Sequence, residues 1–207
     1  AILLQNSSGE FKRSSESVLN QDSLSEDVLG HFFDANGDGF QDLIVGAGGI
    51  EFANGASNYQ DRLYLNDGKG NFTLSNSSFA TLPTGFILSE DLDQDGDEDL
   101  IIGFRSIPFA YGLPAPIKFY ENDGKGNFTD ISDSFGFDFS EIGMLTSAAW
   151  TDLDLDSKPE LIVAGEWMPI RIFTLSDGKF AEETEKYGFA NSNGLWNVLL
   201  LEDINGD

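Results

Sequence analysis

The stretch that decides the fold is residues 91–103, DLDQDGDEDLIIG, in which an acidic run leads directly into a short apolar segment. Aspartates occupy every second position from Asp91 to Asp99, and Glu98 adds a further carboxylate. Gly96 stands where a sharp turn is needed. The apolar residues that follow have the length and composition of a buried β-strand. The stretch therefore predicts a polar turn that joins two strands.

The same pattern returns along the chain, so the sequence contains an internal repeat. It appears as DANGDGFQDLIVG at 34–46, as DLDLDSKPELIV at 152–163 and as DINGD at 203–207. The first residues of successive copies are 57, 61 and 51 positions apart. Regular spacing on this scale is typical of propellers and other repeat architectures.

A second motif alternates with the acidic one. It reads LYLNDGKGNF at 63–72 and FYENDGKGNF at 119–128, with weaker copies at 3–11 and 172–180. Gly and Asn adopt positive φ at low cost, so the Asn-Asp-Gly centre predicts a hairpin turn between two strands. Each period therefore predicts four short strands: one before the acidic run, one after it, and a hairpin pair.

The predicted fold class is all-β, made of four-stranded antiparallel β-propeller blades. Three whole blades are predicted, at 28–84, 85–144 and 145–195. A partial blade at 1–27 precedes them, and the start of a further blade is predicted at 196–207. Propellers typically close with about four to eight blades. Residues 1–207 are therefore expected to be part of a larger propeller.

The charge balance excludes several classes of function. The chain of 207 residues has 36 acidic and 11 basic residues, a formal net charge of −25 at pH 7. Such a surface repels phosphate backbones and anionic lipids, so nucleic-acid binding is not expected. Membrane insertion is not expected either, because no apolar run approaches the roughly 20 residues of a spanning helix. The absence of Cys excludes disulfides, thiolate metal sites and Cys nucleophiles.

The acidic loops predict metal sites. Oxygen ligands are expected at positions 1, 3, 5, 7 and 9, the seventh through its backbone carbonyl, as in a shortened EF-hand loop. The first site comprises Asp34, Asn36, Asp38, Phe40 and Asp42, and the second comprises Asp91, Asp93, Asp95, Asp97 and Asp99. Hard oxygen donors favour Ca²⁺, with Mg²⁺ second because it demands stricter octahedral geometry. The alternative is a solvated acidic turn without a metal.

The third and fourth copies depart from this pattern. The third site comprises Asp152, Asp154, Asp156, Lys158 and Glu160, with Ser157 in place of the glycine and Pro159 at the exit. The fourth, Asp203, Asn205 and Asp207, is an incomplete site. Two Ca²⁺ sites are therefore predicted, and occupancy of the third is left open.

Together the two motifs resemble the FG-GAP/VCBS repeats, the calcium-binding blades of integrin α-subunit-like β-propellers. The Tyr-x-Asn-Asp-Gly-x-Gly-x-Phe hairpin is similar to the VCBS subtype of bacterial secreted and surface proteins, including chains related to the ASPIC/UnbV group. The resemblance covers nearly the whole chain. It implies a parent propeller of seven or eight blades, Ca²⁺ bound by the first two loops, and a secreted, periplasmic or cell-surface location.

Three classes of function stay open. The first is a module for binding or adhesion, with a protein or carbohydrate ligand and structural Ca²⁺. The second is part of a calcium-dependent polysaccharide lyase or hydrolase. No catalytic residue is assigned, because His31 is the single histidine and no nucleophile elbow, P-loop or His-Glu-x-x-His motif is present. The third is a structural scaffold for another domain. The binding module is preferred over an enzyme.

Several aromatic residues are predicted to pack between blades. Phe33, Trp150 and Trp196 stand shortly before the first, third and fourth acidic loops. Trp167 lies in the turn 166–169 and is also expected to pack between blades, with contact to a ligand as the alternative.

Overall fold

The computed structural model describes residues 2–13, 18–20 and 24–204, and its regular structure there is almost entirely β. The strands are β1 Leu3–Gln5, β2 Phe11–Arg13, β3 Glu26–Phe33, β4 Asp42–Gly48, β5 Arg62–Asn66, β6 Phe72–Leu74, β7 Thr84–Glu90, β8 Asp99–Phe104, β9 Ile117–Asn122, β10 Phe128–Asp130, β11 Met144–Thr151, β12 Glu160–Met168, β13 Arg171–Ser176, β14 Lys179–Glu182 and β15 Gly194–Leu195. Short 3₁₀ helices are Val18–Asn20, Ser57–Tyr59 and Ser132–Phe135. Within these described ranges, no helix has the length and apolar character needed to cross a membrane.

Three four-stranded antiparallel sheets follow one another along the chain. Their strand orders are β3-β4-β5-β6, β7-β8-β9-β10 and β11-β12-β13-β14, and we call them sheets 1, 2 and 3. β1 and β2 form a separate hairpin, and β15 pairs with the end of β12. The all-β fold of four-stranded antiparallel units is therefore confirmed, whereas the limits of the individual blades stay predictions.

The first strands of the three sheets lie side by side. β7 contacts β3 on one side and β11 on the other. The backbones come close at Gly85, where a Cβ atom would lie 2.1 Å from the carbonyl oxygen of Leu145 in β11. A residue without a side chain is required there, so Gly85 sets the distance between sheets 2 and 3.

Each first strand carries a bulge at an equivalent place. The register against the second strand shifts between Asp27 and Leu29 in β3 and between Thr84 and Phe86 in β7. The same shift occurs in β11, beginning at Leu145. A bulge bends its strand and increases the local twist. The three sheets therefore share one local bend, as blades of a propeller do.

The apolar core lies between neighbouring sheets. Ile44 and Leu63 of sheet 1 pack in one cluster with Ile102 of sheet 2. On the other side of sheet 2, the ring of Phe119 lies 5.2 Å from that of Phe180 in sheet 3, centroid to centroid. Full burial of one such side chain contributes about 1.5–3 kcal/mol. Packing between sheets thus supplies much of the stability of each sheet.

The predicted inter-blade position of Phe33 is confirmed. Its ring is buried and lies 6.1 Å from the ring of Phe128 in sheet 2, centroid to centroid. The expectation for Trp150 is confirmed as well, because it is partly buried and packs against the apolar cluster formed by sheets 2 and 3. Its ring lies 6.1 Å from that of Phe180 in sheet 3, centroid to centroid.

The expectations for Trp167 and Trp196 are wrong. Trp167 is 68% exposed, because it lies in a bulge of β12 opposite β15 and adopts a φ of +60°. Trp196 is 37% exposed, and its indole donates to the carbonyl of Ser192 at 2.9 Å. Residues 196–204, which belong to the predicted start of a further blade, form no strand.

Candidate metal centres

Three acidic loops occupy the same place in the three sheets. Loop 1 (residues 34–42) joins β3 to β4, loop 2 (91–99) joins β7 to β8, and loop 3 (152–160) joins β11 to β12. Position 1 directly follows the first strand, and position 9 opens the second strand. The two strands therefore fix both ends of every loop.

The carboxylate at position 9 is buried and held by backbone donors. In loop 1, Asp42 accepts the N–H of Ala35 through Oδ2 at 3.0 Å and that of Asn66 through Oδ1 at 2.7 Å. In loop 2, the donors to Asp99 are the N–H groups of Leu92 and Asn122, at 3.0 and 2.8 Å. The ninth residue therefore ties its loop to the hairpin of the same sheet.

Loop 3 has Glu160 at this position, and the longer side chain reaches one equivalent partner. Glu160 is fully buried, and its Oε2 accepts the N–H of Leu153 at 2.8 Å. Its Oε1 lies 3.1 Å from the hydroxyl of Thr174, a side chain of β13, instead of a hairpin N–H group. The ninth carboxylate of loop 3 is thus still held at both oxygens, but its second partner is a side-chain hydroxyl instead of a backbone N–H group.

The carboxylate at position 1 joins the start of each loop to its middle through hydrogen bonds. It accepts the backbone N–H groups of positions 5 and 6. The pairs are Asp34 with Asp38 and Gly39 (3.2 and 2.8 Å), Asp91 with Asp95 and Gly96 (3.1 and 3.1 Å), and Asp152 with Asp156 and Ser157 (3.1 and 2.9 Å). The three loops therefore share one fold, although the third lacks the glycine.

Three of the predicted ligands come together in loops 2 and 3, from positions 1, 3 and 9. Each offers a carboxylate oxygen, and the three oxygens of a loop lie within 4.8 Å of one another. The two groups are Asp91, Asp93 and Asp99, and Asp152, Asp154 and Glu160. In loop 1 position 3 is Asn36, whose amide oxygen accepts the N–H of Asp38 at 3.1 Å, as Asp93 accepts that of Asp95 in loop 2.

The position 5 carboxylates are not part of these two groups. The residues at position 5 instead accept the N–H of position 7, in the pairs Asp38–Phe40 (2.9 Å), Asp95–Asp97 (3.0 Å) and Asp156–Lys158 (2.9 Å). The roles of the position 5 carboxylates and the position 7 carbonyls as ligands stay predictions. Of the incomplete fourth site, Asp203 is exposed, and Asn205 and Asp207 lie outside the described residues.

Positions 4 and 6 adopt positive φ in all three loops. Position 6 is Gly39 (+85°), Gly96 (+101°) and Ser157 (+69°), and position 4 is Gly37 (+70°), Gln94 (+66°) and Leu155 (+59°). The sequence predicts the turn at position 6 and misses the one at position 4. A positive φ costs a residue other than glycine roughly 1–2 kcal/mol in backbone strain.

Burial raises the pKa of the position 9 carboxylates in loops 1 and 2. Burial raises the pKa of Asp99 to about 6, and the charges of Asp93 and Asp95 raise it too, whereas two backbone hydrogen bonds lower it. Burial likewise raises the pKa of Asp42. A cation at the converging oxygens favours the ionised carboxylates. Hard oxygen donors of this kind fit a divalent cation such as Ca²⁺ or Mg²⁺.

Asn122, in the hairpin of sheet 2, is a site residue that the sequence reasoning missed. Its side-chain amide donates to the carbonyl of Glu98 in loop 2 at 3.0 Å and to that of Ala35 in loop 1 at 2.9 Å. One side chain therefore contacts two acidic loops. The signal in the sequence is that the Asn-Asp-Gly motif stays in step with the acidic motif.

A cavity of about 770 Å³ lies among the first strands of the three sheets. His31 lines it, and a ring nitrogen of His31 lies 2.9 Å from the hydroxyl of Ser89 in β7. Burial lowers the pKa of this histidine, although the charge of Glu98 raises it. The contact joins sheets 1 and 2, which is the structural role of a partly buried histidine.

An aromatic and charged cluster stands beside this cavity, at the ends of the strands opposite the acidic loops. Arg105 forms an ion pair with Glu166, and Tyr111 donates its hydroxyl to the other oxygen of Glu166 at 2.9 Å. The indole of Trp167 donates to the Tyr111 hydroxyl at 3.3 Å. We call these four residues the rim cluster. Tyr111 and Trp167 are each 68% exposed.

Sheets of four antiparallel strands, each with an acidic loop between its first two strands, define a repeat protein built of propeller-type blades. The family model for the FG-GAP-like repeat matches the chain twice, at residues 34–102 and 91–163. The two matches together span more than half of the chain, which therefore belongs to the FG-GAP-like repeat family. No match was found among curated proteins.

Proposed function

We propose that the chain is a calcium-binding β-propeller module that binds a protein or carbohydrate ligand on a separate surface. The proposal rests on the oxygens of positions 1, 3 and 9, which converge to within 4.8 Å in loops 2 and 3. Ionised carboxylates this close repel one another unless a cation lies between them. Ca²⁺ accepts about six to eight oxygen ligands in flexible geometry, which suits a loop with both side-chain and carbonyl oxygens.

The proposed role of Ca²⁺ is structural. Loops 1 and 2 are the principal sites, with the ligands that the sequence predicts at positions 1, 3, 5, 7 and 9. An ion there holds the connection between the first and second strands of a sheet. Because the folded loop binds the ion and the unfolded chain does not, the binding free energy adds to the free energy of unfolding.

The proposed location is secreted, periplasmic or cell-surface. Extracellular calcium modules bind with dissociation constants of about 10⁻⁴–10⁻³ M, far above the free Ca²⁺ of the cytosol. A module that requires Ca²⁺ for folding is therefore suited to those compartments. The FG-GAP-like repeats support the same location, since integrin α-subunit-like propellers and the VCBS subtype that this chain resembles are extracellular.

The rim cluster and the cavity beside it are the proposed ligand surface. Trp, Tyr and Arg are the residue types that contribute most to binding at interfaces, and here they are exposed together. The cavity volume of about 770 Å³ falls in the usual range for ligand sites. The acidic loops lie at the opposite ends of the strands, so metal and ligand occupy different faces.

Thermal unfolding in EDTA, Ca²⁺ and Mg²⁺ tests the metal sites. We expect Ca²⁺ to raise Tm by several degrees, and more than Mg²⁺ does, because binding is linked to folding. Asp93→Asn removes a converging carboxylate and reduces this rise. Asp133→Asn removes an exposed charge outside the loops and leaves the rise unchanged. Equal Tm values in EDTA and Ca²⁺, with the chain folded in both, contradict the calcium proposal.

Arrays of glycans and of extracellular proteins test the ligand surface. We expect a ligand that binds the wild type and loses at least tenfold in affinity with Trp167→Ala. Phe11→Ala is the matched control, because Phe11 is an aromatic residue with similar exposure (64%) on β2, away from the rim cluster. No ligand on either array, or equal losses for the two variants, contradicts this part of the proposal.

A further inference from the structure

Loop 3 differs from loops 1 and 2 in having a cation of the protein beside it. Oδ2 of Asp154, at position 3, accepts a hydrogen bond from the Lys186 ammonium at 3.0 Å and another from the Tyr187 hydroxyl at 2.9 Å. In the described part of the chain, no Lys or Arg forms an ion pair with a carboxylate of loop 1 or loop 2. Asp154 is also one of the three converging carboxylates.

The Lys186 ammonium is fixed by more than Asp154. It donates to Oε2 of Glu183 at 2.8 Å and to the hydroxyl of Tyr187 at 3.3 Å, and it lies 4.8 Å from the centroid of the Tyr187 ring. An ammonium has three donors, and three acceptors are present. A lysine side chain is protonated at neutral pH, so these acceptors surround a positive charge.

This network also reaches the buried end of loop 3. The hydroxyl of Thr174 lies 3.1 Å from Oε1 of Glu160 and 3.1 Å from Oε2 of Glu183. A hydroxyl has one hydrogen, so it donates to one of these carboxylates at a time. Glu160 and Glu183 therefore share the hydroxyl of Thr174. Lys186 therefore contacts one of the three converging carboxylates, Asp154, directly, and a chain of contacts through Glu183 and Thr174 links it to a second, Glu160.

We propose that Lys186 is a built-in counter-ion of loop 3 that competes with a divalent metal ion for Asp154. The inference rests on the proposed function, in which the acidic loops bind such an ion. Without metal, the ammonium offsets the repulsion among the converging carboxylates. A metal ion must draw Asp154 away from Lys186 or lie close to a second positive charge, and either weakens its binding. Loop 3 therefore binds the ion more weakly than loops 1 and 2. Its folded conformation also depends less on a bound ion, because Lys186 already offsets the repulsion.

Calorimetric titration with Ca²⁺ tests the competition. Lys186→Met keeps the length of the side chain and removes the charge, and we expect it to tighten the weakest Ca²⁺ binding step at least tenfold. Adding Asp152→Asn to that variant abolishes the gain, which assigns it to loop 3. Lys179→Met, at an exposed position of the same sheet, leaves all steps unchanged.

A metal-free measurement tests the counter-ion role separately. In EDTA we expect Lys186→Met to unfold at a lower Tm than the wild type, because the variant loses the ion pairs with Asp154 and Glu183. In Ca²⁺ the order reverses, because the variant gains a tighter site. Tyr187→Phe, which keeps the ammonium, shows a smaller drop in EDTA.

The outcomes separate this inference from the proposed function. If the wild type binds Ca²⁺ and Lys186→Met gains no affinity, the competition is overturned and the proposed function stands. If neither protein binds Ca²⁺, both are overturned. If Lys186→Met has the wild-type Tm in EDTA, Lys186 is not a counter-ion, whatever the titration gives.

Discussion

At the scale of the single residue, Asp61 shows how a buried carboxyl joins two sheets away from the acidic loops. It is 1% exposed, and its Oδ1 accepts the N–H of Ala47 in β4 at 2.8 Å and the hydroxyl of Thr84 in β7 at 2.7 Å. Its Oδ2 has no hydrogen-bond partner within the described residues. Burial raises the pKa of Asp61 to about 7. Sheets 1 and 2 therefore meet at a carboxyl that holds a proton up to nearly neutral pH.

The substitution Asp61→Asn is expected to change how stability depends on pH. Asp61 ionises near 7 when folded and near its ordinary value of 3.8 when unfolded. Its contribution to the free energy of unfolding is complete below pH 4 and is lost as pH rises from 4 through 7, by up to roughly 4 kcal/mol. The neutral amide has no such loss. Relative to the wild type, the variant therefore gains stability between pH 4 and pH 8, measured by urea unfolding.

Asp133→Asn serves as the control for this prediction, since Asp133 is an exposed carboxyl outside the acidic loops. Its stability should follow the wild type across the same pH range. Parallel curves for wild type and Asp61→Asn would show that Asp61 is ionised in the folded chain at acidic pH, against the prediction.

At the scale of the element, the close contact of β7 with β11 depends on Gly85. In Gly85→Ala, the new methyl group would lie 2.1 Å from the carbonyl oxygen of Leu145, so the two strands must separate. We expect a loss of about 3 kcal/mol in the free energy of unfolding, the upper range for overpacking. Urea unfolding measures it.

Gly30→Ala in β3 provides a matched control in another first strand. A Cβ atom at Gly30 would lie 3.4 Å from Cδ1 of Leu43, which is an ordinary contact. This variant should lose much less stability than Gly85→Ala. Equal losses in the two variants would mean that the cost does not arise from the contact with β11.

The elements were predictable where the signal is local. The apolar run after each acidic loop predicts β4, β8 and the start of β12, and the Asn-Asp-Gly turns predict the hairpins β5-β6 and β9-β10. The outward position of Trp167 could not be read from its neighbours, because it depends on a bulge opposite β15, nearly thirty residues later.

The candidate site was predictable in part for the same reason. Alternating carboxylates indicate the loop, its turn at position 6 and its ligand types. The positive φ of Leu155 has no signal, since leucine rarely adopts that conformation. The contacts of Asn122 with Ala35 and of Lys186 with Asp154 join residues distant in sequence, so they depend on how the sheets and loops are placed in the fold.

For the molecule as a whole, the dominant electrostatic fact is the net charge of −25. Self-repulsion of this size disfavours the compact state, and the effect decreases when salt screens it. Two bound Ca²⁺ ions would add four positive charges and change −25 to −21. Stability should therefore depend on both monovalent salt and calcium.

We expect the Tm in EDTA to rise by several degrees when NaCl increases from about 0.05 to 0.5 M, because the Debye length shortens severalfold over that range. The rise should be smaller in saturating Ca²⁺, since part of the repulsion is already neutralised. KCl in place of NaCl should give the same rise, which excludes specific Na⁺ binding. A Tm that falls with salt, or rises equally with and without Ca²⁺, would contradict this account.

The double contact of Asn122 bears on how such a chain can grow by gene duplication. Its amide binds loop 2 of its own sheet and loop 1 of the preceding sheet. A complete loop environment therefore includes part of the next sheet. Duplication or deletion that preserves these contacts must add or remove a whole repeat, so that each loop keeps the hairpin of the following sheet beside it. Loss or gain of part of a repeat would instead separate a loop from the hairpin that contacts it.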